Sequence, residues 1–296
     1  MNVKVILNPY ANRWRAQAQI GPVEAALRAA RLDYDLTVTR APHEGTAVAA
    51  AAARQGYDAI VAAGGDGTIG EVVNGLLQAA GDGPSLPFGI IPLGTANDFC
   101  RMAGLPLDLP GSVRVIAAGQ TRQVDAGMVN GRYFINNSAA AMEPMVTLEN
   151  IRMQRLSGEL RYLVALARAI IKLKAWQMEV VWEGGSYTGP AYLLSVCNSP
   201  RTGGFTMAPG ALLDDGLFDM VFAPQLPKRT VLAVLLRLLR GGRHIHHKDV
   251  VFERTPWLRV ASTPGTPVHA DGEIFTESAT VVAYQILPRK VTLLVG

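Results

Sequence analysis

A glycine-rich turn, Gly64-Gly65-Asp66-Gly67-Thr68, lies between the apolar run Ala59–Ala63 and a helical pattern over Thr68–Ala79. Backbone N–H groups and the helix dipole form an anion site at such a turn, and phosphate is its natural occupant. Asp66 adds a carboxylate among these amides, which suits a site that holds Mg²⁺ or a reacting hydroxyl. The turn lacks the lysine of a Walker A loop and the spacing of a dinucleotide fingerprint. A tight connection without a ligand is the alternative for this turn.

A second turn of the same kind, Pro92-Leu93-Gly94-Thr95-Ala96-Asn97-Asp98-Phe99, follows the apolar run Phe88–Ile91. Asn8-Pro9 ends the first apolar run of the chain. Because the carboxyl ends of parallel strands meet at one edge of a sheet, we expect all three turns to lie there, where open α/β folds bind ligands. Taken alone, Thr95 or Asn97 could simply cap the following helix.

The elements that must hold these turns alternate between strand and helix patterns up to about Val124. Predicted strands are Val3–Leu7, Tyr34–Val38, Ala59–Ala63 and Phe88–Ile91, and predicted helices are Ile20–Ala30, Gly45–Arg54, Thr68–Ala79, Ala96–Ala103 and Val113–Ala118. This alternation is typical of a parallel sheet with helices on its faces. A turn is predicted at Thr121-Arg122-Gln123.

Short β-rich runs bounded by turn residues dominate the rest of the chain. They are Gln123–Val129, Tyr133–Asn136, Gln177–Trp182, Ala191–Cys197, Leu217–Phe222, Trp257–Ser262 and Val281–Ile286, with two helical segments at Leu148–Trp176 and Lys228–Arg240. We therefore predict an α/β N-terminal domain with a parallel sheet over residues 1–123, which the segment 287–296 could rejoin. A β-rich antiparallel sandwich is predicted over residues 124–286.

The composition predicts a folded globular protein, with 49% hydrophobic and 18% charged residues. A net charge of +4, from 28 Lys and Arg against 24 Asp and Glu, is too small to indicate a nucleic-acid-binding protein. Cys100 and Cys197 match neither a disulfide framework nor a zinc site, which favours a reducing, cytoplasmic setting. The first residues predict a strand rather than a signal peptide, and the longest apolar window, Val231–Leu239, is too short to span a membrane.

The two glycine turns together resemble the catalytic domain of diacylglycerol kinases, a superfamily that includes bacterial soluble lipid kinases and the sphingosine and ceramide kinases. Gly64–Gly75 and Pro92–Phe99 carry the resemblance. Further matches are Asn8-Pro9, Thr39, Asn198, Gly203-Gly204, Ala208-Pro209, Asp214–Asp219 and Asp271-Gly272-Glu273. The resemblance covers essentially the whole chain, although the first glycine motif alone is shared with NAD kinases and phosphofructokinases.

This resemblance implies ATP and Mg²⁺ as cofactors and assigns roles to individual residues. The nucleotide contacts that it implies are Asn8, Thr39, Gly65, Asp66, Gly67, Thr68, Glu71 and Thr95. Glu273 would accept the proton of a lipid hydroxyl, with Asp66 and Asp271 supporting catalysis or holding Mg²⁺. Such roles fit phosphoryl transfer, which needs positioning, charge neutralisation and one base. From the residues alone, Asp271-Gly272-Glu273 would be an ordinary hairpin turn.

The resemblance also implies a structural Mg²⁺ bound by Leu212, Asp215 and Leu217 through one carboxylate and backbone carbonyls, ligands that suit a hard cation. One segment departs from the family: Asn137–Glu143 has alanines in place of glycines and Glu143 in place of an aspartate. Because this segment borders the lipid cleft of the family, it leaves the identity of the lipid open.

A basic amphipathic stretch surrounds Val231–Leu239 and could rest on an anionic membrane or pack its leucines on the second domain. Its basic residues are Lys228, Arg229, Arg237, Arg240, Arg243 and Lys248. Three nearby histidines, His244, His246 and His247, lack the acidic or cysteine partners of a metal site and are expected to be surface or packing residues.

The sequence therefore predicts a cytoplasmic lipid kinase that uses ATP and Mg²⁺, makes peripheral contact with a membrane where its lipid substrate lies, binds no nucleic acid and could form a homodimer. Diacylglycerol or a related glycerolipid is the expected substrate. Two alternatives remain open: a kinase of a soluble acceptor, and a regulatory protein that binds nucleotide without turnover. Lipid-dependent release of ADP distinguishes the first prediction from both.

Overall fold

The computed structural model describes residues 1–152, 164, 168 and 173–296. They form two compact units, Met1–Ala126 with Leu287–Gly296, and Gly127–Ile286. The predicted fold class is confirmed, because the first unit is an α/β structure and the second is rich in antiparallel strands. Among the described residues, no helix combines the length and the hydropathy needed to cross a membrane.

The first unit is built on a parallel sheet in the order β2-β1-β3-β4. Its strands are β1 (Asn2–Leu7), β2 (Asp33–Val38), β3 (Ala59–Gly64) and β4 (Phe88–Pro92), followed by β5 (Gln120–Val129). Its helices are α1 (Ile20–Ala29), α2 (Glu44–Ala52), α3 (Asp66–Ala80), α4 (Asp98–Met102) and α5 (Leu109–Ala118). Strand β3 is buried along its whole length, as expected for a parallel strand covered on both faces.

The described residues of the second unit contain the remaining strands and, besides the helical residues 164 and 168, two further helices. The strands are β6 (Arg132–Phe134), β7 (Asn137–Ala141), β8 (Trp176–Trp182), β9 (Gly185–Cys197), β10 (Arg201–Thr202), β11 (Phe205–Thr206), β12 (Phe218–Pro224), β13 (Val251–Thr255), β14 (Trp257–Ala270) and β15 (Glu273–Val295). The helices are α6 (Met142–Arg152) and α7 (Lys228–Leu239), followed by a short 3-10 helix at Arg243–His246. The end of β15 returns to the first unit, where Leu293 pairs with Phe88 of β4 in parallel.

Antiparallel pairing in the order β13-β12-β9-β7-β14 positions the residues of the second unit, and β8 pairs with both β14 and β9. Large apolar side chains fill its core; the Phe134 and Phe218 rings, for example, stack with their centroids 5.6 Å apart. Burying each of these aromatic side chains contributes about 1.5–3 kcal/mol relative to leaving it exposed.

The predicted turn at Thr121-Arg122-Gln123 is wrong, because these residues belong to β5. Helix α5 ends at Gly119, whose φ of 66° allows the left-handed conformation that reverses the chain. The reversal is complete before Thr121, so the following residues are free to extend.

Strands β14 and β15 are much longer than the apolar runs Trp257–Ser262 and Val281–Ile286 predicted. The run Trp257–Ser262 grows to β14, which continues through Pro264, Gly265 and Pro267 with several shifts of pairing register. Such irregularities let a strand contain residues that usually end one.

The predicted helix Leu148–Trp176 is wrong at both ends. Helix α6 already begins at Met142, and Trp176 is the first residue of β8. Residues 148–152, 164 and 168 are helical as predicted, residues 173–175 are not, and the other residues of that range lie outside the described part of the chain.

Candidate functional site

The two glycine turns of the first unit lie against each other, as the sequence predicts. The N–H of Leu93 donates to the carbonyl of Gly64 at 2.8 Å, so the turns are bonded directly. A Cβ atom on Gly94 would lie 2.4 Å from the Cα atom of Gly65, and one on Gly65 would lie 3.0 Å from the Cα atom of Gly94. A Cβ atom at Gly94 therefore does not fit, and one at Gly65 would crowd the facing turn, so the two glycines allow the two backbones to approach.

Substituting Gly94 with Ala should disturb this contact. The added methyl group meets backbone atoms of Gly65, which cannot move as a flexible side chain would. We expect the free energy of unfolding to fall by about 1–3 kcal/mol because the turn is displaced. Denaturant unfolding measures the effect. Gly21→Ala is the control, since nothing lies within 4 Å of a Cβ atom there; equal behaviour of the two variants would contradict the packing argument.

Three polar side chains gather beside these turns. The Asn8 side-chain amide donates to Thr68 Oγ1 at 3.1 Å, and Asn8 Oδ1 accepts from the N–H of Tyr10 at 3.0 Å. Thr39 is buried next to the end of β1, where its N–H donates to the carbonyl of Leu7 at 2.9 Å. The structure therefore brings Asn8, Thr39 and Thr68 to one edge of the sheet.

The second turn is held by Asn97 and reaches Asn12 through Thr95. Asn97 has a φ of 50°, and its Oδ1 accepts from the N–H of Gly94 at 3.0 Å. The Thr95 hydroxyl donates to Asn12 Oδ1 at 3.2 Å. Thr95 thus lies at the expected edge, whereas Asn97 shapes the turn itself.

Asp66 is occupied by the start of helix α4. Its two carboxylate oxygens accept from the backbone N–H groups of Phe99 at 3.0 Å and Asp98 at 3.2 Å. Burial raises the pKa of the Asp66 carboxyl, although these two N–H groups act in the opposite direction. The observed contacts make Asp66 a brace between the first glycine turn and the second.

Glu71 is engaged in the same way at the start of helix α2. Its carboxylate is buried and accepts from the N–H groups of His43 at 3.2 Å and Gly45 at 3.0 Å. No side chain at the N-cap position of α2 caps this helix. Glu71 therefore satisfies N–H groups at a helix end from another element.

In the second unit, Asp271 and Gly272 form the two-residue turn between β14 and β15. Their φ angles of 48° and 81° are typical of the type I′ hairpin that the residues alone suggested. The Asp271 carboxylate accepts from the N–H groups of Ile135 at 2.8 Å, Asn136 at 2.8 Å and Asn137 at 3.1 Å. It therefore ties the hairpin to the chain that enters β7.

Glu273 follows this turn and pairs with Arg132 in a charge-assisted hydrogen bond. The Glu273 side chain is 24% exposed, so its carboxylate is accessible at the surface of the second unit. Sequence reasoning missed Arg132, which lies 141 residues away in the chain, and no local motif marks it.

Asp215 has partners of its own in the segment expected to hold a structural cation. One carboxylate oxygen accepts from the N–H of Leu217 at 3.1 Å, and the other pairs with Arg254. The Arg254 Nε atom is 3.9 Å from the buried Asp219, whose pKa burial raises to about 6 while the charge of Arg254 opposes the rise. Arg254 thus supplies the positive charge that Mg²⁺ would bring to Asp215.

Substituting Arg254 with Gln should make this segment sensitive to Mg²⁺. Without the guanidinium, two neighbouring carboxylates lose their counter-charge, and we expect Tm to fall by about 2–4 °C, the equivalent of about 1 kcal/mol. Millimolar Mg²⁺ should restore part of the loss in this variant and change the wild type little. Thermal unfolding with and without Mg²⁺ measures both, with the exposed Arg259→Gln as control. A matching rise of Tm in the wild type would show that the cation binds in spite of Arg254.

Two family models match successive parts of the chain. Residues 2–129 match the model of the diacylglycerol kinase catalytic domain. Residues 138–295 match the model of the YegS C-terminal NAD kinase beta sandwich-like domain.

Individual relatives cover nearly the whole chain. A diacylglycerol kinase of Staphylococcus haemolyticus (strain JCSC1435) is 32% identical over 274 residues, which span 91% of this chain and 81% of the relative. A diacylglycerol kinase of Staphylococcus aureus (strain bovine RF122 / ET3-1) is 29% identical over 273 residues, or 91% and 85% of the two chains.

Two crystal structures from Bacillus anthracis str. Sterne have the same fold. They superpose on 100% of this chain and 97% of their own, with TM-scores of 0.81 and 0.73 and sequence identities of 22% and 20%. The second is that of a diacylglycerol kinase.

Proposed function

Since the chain belongs to the diacylglycerol kinase family, we propose that it is an ATP- and Mg²⁺-dependent kinase that phosphorylates a lipid hydroxyl, in diacylglycerol or a related glycerolipid. The observation that carries this proposal is the contact between the two glycine turns. Their backbones approach so closely that a Cβ atom at Gly65 or Gly94 would fill the space between them. Closely packed glycine turns at the ends of strands suit polyphosphate, which binds backbone N–H groups.

In this proposal, the first unit binds the nucleotide. The N–H groups of Gly65, Gly67 and Thr68 would contact phosphate oxygens, with the side chains of Asn8, Thr39 and Thr95 as further contacts. ATP would supply the transferable phosphoryl group, and a bound Mg²⁺ would neutralise its charge. Asp66 and Glu71 contribute by positioning, since each holds the start of a helix beside the turns.

The second unit supplies the base. Glu273 would take the proton of the lipid hydroxyl. The hydroxyl oxygen attacks the γ-phosphorus of ATP, and the bond from this phosphorus to the oxygen of ADP breaks. Arg132 holds the Glu273 carboxylate in one orientation. Asp271 acts through the hairpin, which it fixes by three backbone hydrogen bonds.

Release of ADP by the purified protein tests this proposal, with ATP and Mg²⁺ and with micelles of diacylglycerol, monoacylglycerol, phosphatidylglycerol or sphingosine. We expect stimulation by a glycerolipid over a lipid-free control. Equal rates with and without every lipid would contradict a lipid kinase, and a rate that rises only with a soluble acceptor would favour that alternative.

We also propose that helix α7 rests on an anionic membrane surface. Leu232, Leu236 and Leu239, which share one face, are 56%, 45% and 42% exposed. Basic residues flank them at Lys228, Arg229, Arg237, Arg240 and Arg243, and no acidic residue occurs between Lys228 and Lys248. Exposed leucines beside basic residues are typical of helices that lie in the interface of an anionic bilayer.

The double substitution Leu232→Asp with Leu236→Asp should weaken vesicle binding at least about tenfold, since it removes two inserted side chains and adds repulsion from anionic lipid. Sedimentation with phosphatidylglycerol-containing vesicles measures the effect, and phosphatidylcholine vesicles should bind little of either protein. Val281→Asp is the matched control, because Val281 is also exposed, at 45%, but lies on β15. Unchanged binding by the double variant would exclude this face as the contact.

A further inference from the structure

The second unit contains an apolar cavity of about 80 Å³. A cavity needs about 10–15 Å³ of this kind of volume to hold one water molecule, so this cavity has room for several waters or methylene groups. The inner face of α7 lines the cavity with Val234 and Leu238, the first turn of α6 with Met142 and Val146, and β9 with Leu193. The exposed leucines of α7 lie on another face of the same helix, so α7 has one face toward the cavity and one toward solvent.

One carboxylate belongs to this apolar wall. Glu143 lines the cavity and is only 4% exposed. Its Oε1 atom accepts from the side-chain amide of Asn137 at 2.8 Å and lies 3.4 Å from Thr202 Oγ1 and 3.3 Å from His269 Nε2. Among the described residues, Oε2 has no hydrogen-bond partner. These polar contacts of Glu143 are therefore all made by Oε1.

The surroundings of Glu143 favour its ionised form. His269 Nδ1 accepts from the N–H of Gly272 at 3.3 Å, which leaves the ring proton on Nε2, facing Glu143. Burial alone would raise the pKa of Glu143, but the contact with His269 and the hydrogen bonds of Asn137 and Ser195 outweigh burial and lower it. Glu143 thus brings a charged carboxylate, with one oxygen that lacks a donor, to an apolar wall.

The other polar groups of the wall do not satisfy this acceptor. They are Tyr192, Thr202 and His244, and burial lowers the pKa of His244 to about 4, so this ring is neutral at neutral pH. No Lys or Arg is among the described residues that line the cavity. An anionic head group would therefore be repelled, whereas a hydrogen-bond donor would satisfy Oε2.

We infer that the cavity binds a lipid carrying a second free hydroxyl, which donates to Glu143 Oε2 while the acyl chain lies along the apolar wall. This inference rests on the proposed function, in which Glu273 receives the proton of the hydroxyl that is phosphorylated. Glu273 then accepts the proton of one hydroxyl, and Glu143 accepts a hydrogen bond from the other. The preferred substrate is therefore a glycerolipid with two free hydroxyls, such as a monoacylglycerol, rather than diacylglycerol, which has one.

A hydroxyl suits this acceptor better than an ammonium does. A hydroxyl brings one donor, which a single carboxylate oxygen satisfies, whereas an ammonium brings three. The apolar lining would leave the additional N–H groups unpaired at a cost. The phosphorylated product carries an anion, which the same carboxylate repels.

Paired substrates test the inference. We would compare kcat/KM for monodecanoylglycerol with that for its analogue lacking one hydroxyl, 1-decanoyl-1,2-propanediol, and for dioctanoylglycerol. A site built to hydrogen-bond a hydroxyl discriminates against the analogue without it, and we expect at least a tenfold preference for the diol in the wild type. Decylamine is added as a competitor, and tighter binding of decylamine than of monodecanoylglycerol would overturn the hydroxyl assignment.

Glu143→Gln should bring this ratio close to one, mainly through KM, because the charged acceptor is lost. Glu149→Gln is the matched control: Glu149 is a buried acid of the same helix that does not line the cavity. An unchanged preference for the diol in Glu143→Gln would overturn the inference. A kcat/KM ratio near one in the wild type would also overturn it, and this second test does not depend on the folding of a variant.

Binding without ATP separates this inference from the kinase proposal. We expect calorimetry to find monodecanoylglycerol bound at least tenfold more tightly than methyl decanoate or decanoate, with the difference lost in Glu143→Gln. If no lipid were phosphorylated but this selectivity held, the kinase proposal would fail and the cavity assignment would stand. Equal binding of all three amphiphiles would overturn the assignment.

Discussion

Substituting Glu273 with Gln is expected to lower kcat for lipid phosphorylation by about 10²–10⁴-fold, the usual contribution of a positioned base. Gln keeps the size of the side chain and its hydrogen bond to Arg132 but cannot take a proton at neutral pH. The expected loss is in kcat, with KM for ATP nearly unchanged, because the glycine turns belong to the first unit.

Glu277→Gln is the matched control for this variant. Glu277 lies on the same strand and is exposed, so it tests whether loss of any carboxylate from β15 affects the rate. Steady-state kinetics on the preferred lipid measures both variants. If Glu273→Gln turned over at the wild-type rate, another group would have to accept the proton.

Substituting Asp271 with Ala is expected to lower the free energy of unfolding by about 3–5 kcal/mol. The substitution leaves the N–H groups of Ile135, Asn136 and Asn137 without their acceptor, and each hydrogen bond to a charged group contributes about 1.5–3 kcal/mol before relaxation. Ala also tolerates the φ of 48° at this turn poorly.

Asp271→Asn distinguishes this bracing role from a direct role in catalysis. Asn accepts positive φ and retains one acceptor oxygen, so we expect it to recover part of the stability and part of the activity together. Denaturant unfolding and kinetics should be measured on the same samples. Full stability with no activity in Asp271→Asn would contradict the brace and indicate that this carboxylate acts on substrate or metal.

The two glycine turns could be predicted from the sequence because the pattern that marks them is local. A run such as Ala59–Ala63 followed by glycines predicts a buried strand ending at a ligand edge, and parallel strands bring such turns together. The contacts of Asp66 and Glu71 could not be read in the same way. Each carboxylate accepts from N–H groups of a different element, and only the folded backbone shows which helix end lacks its own cap.

Partners in the second unit were harder to predict because they come from distant parts of the chain. Arg132 and Glu273 meet through the pairing of several strands, and so do Glu143 and His269. The segment Asn137–Glu143 was marked as unusual by its composition, but its meaning depends on the cavity beside it. Pro264 and Pro267 hid the length of β14, since register shifts that accommodate them are a property of the sheet.

The most direct test of the central claim is the transfer of label from [γ-³²P]ATP to lipid, separated from ATP and inorganic phosphate by organic extraction. With Mg²⁺ and a glycerolipid, the wild type should place label in the lipid fraction, and Glu273→Gln should place at least about a hundredfold less there in the same time. Label that stays in ATP, or that appears as inorganic phosphate at a rate independent of lipid, would contradict a lipid kinase.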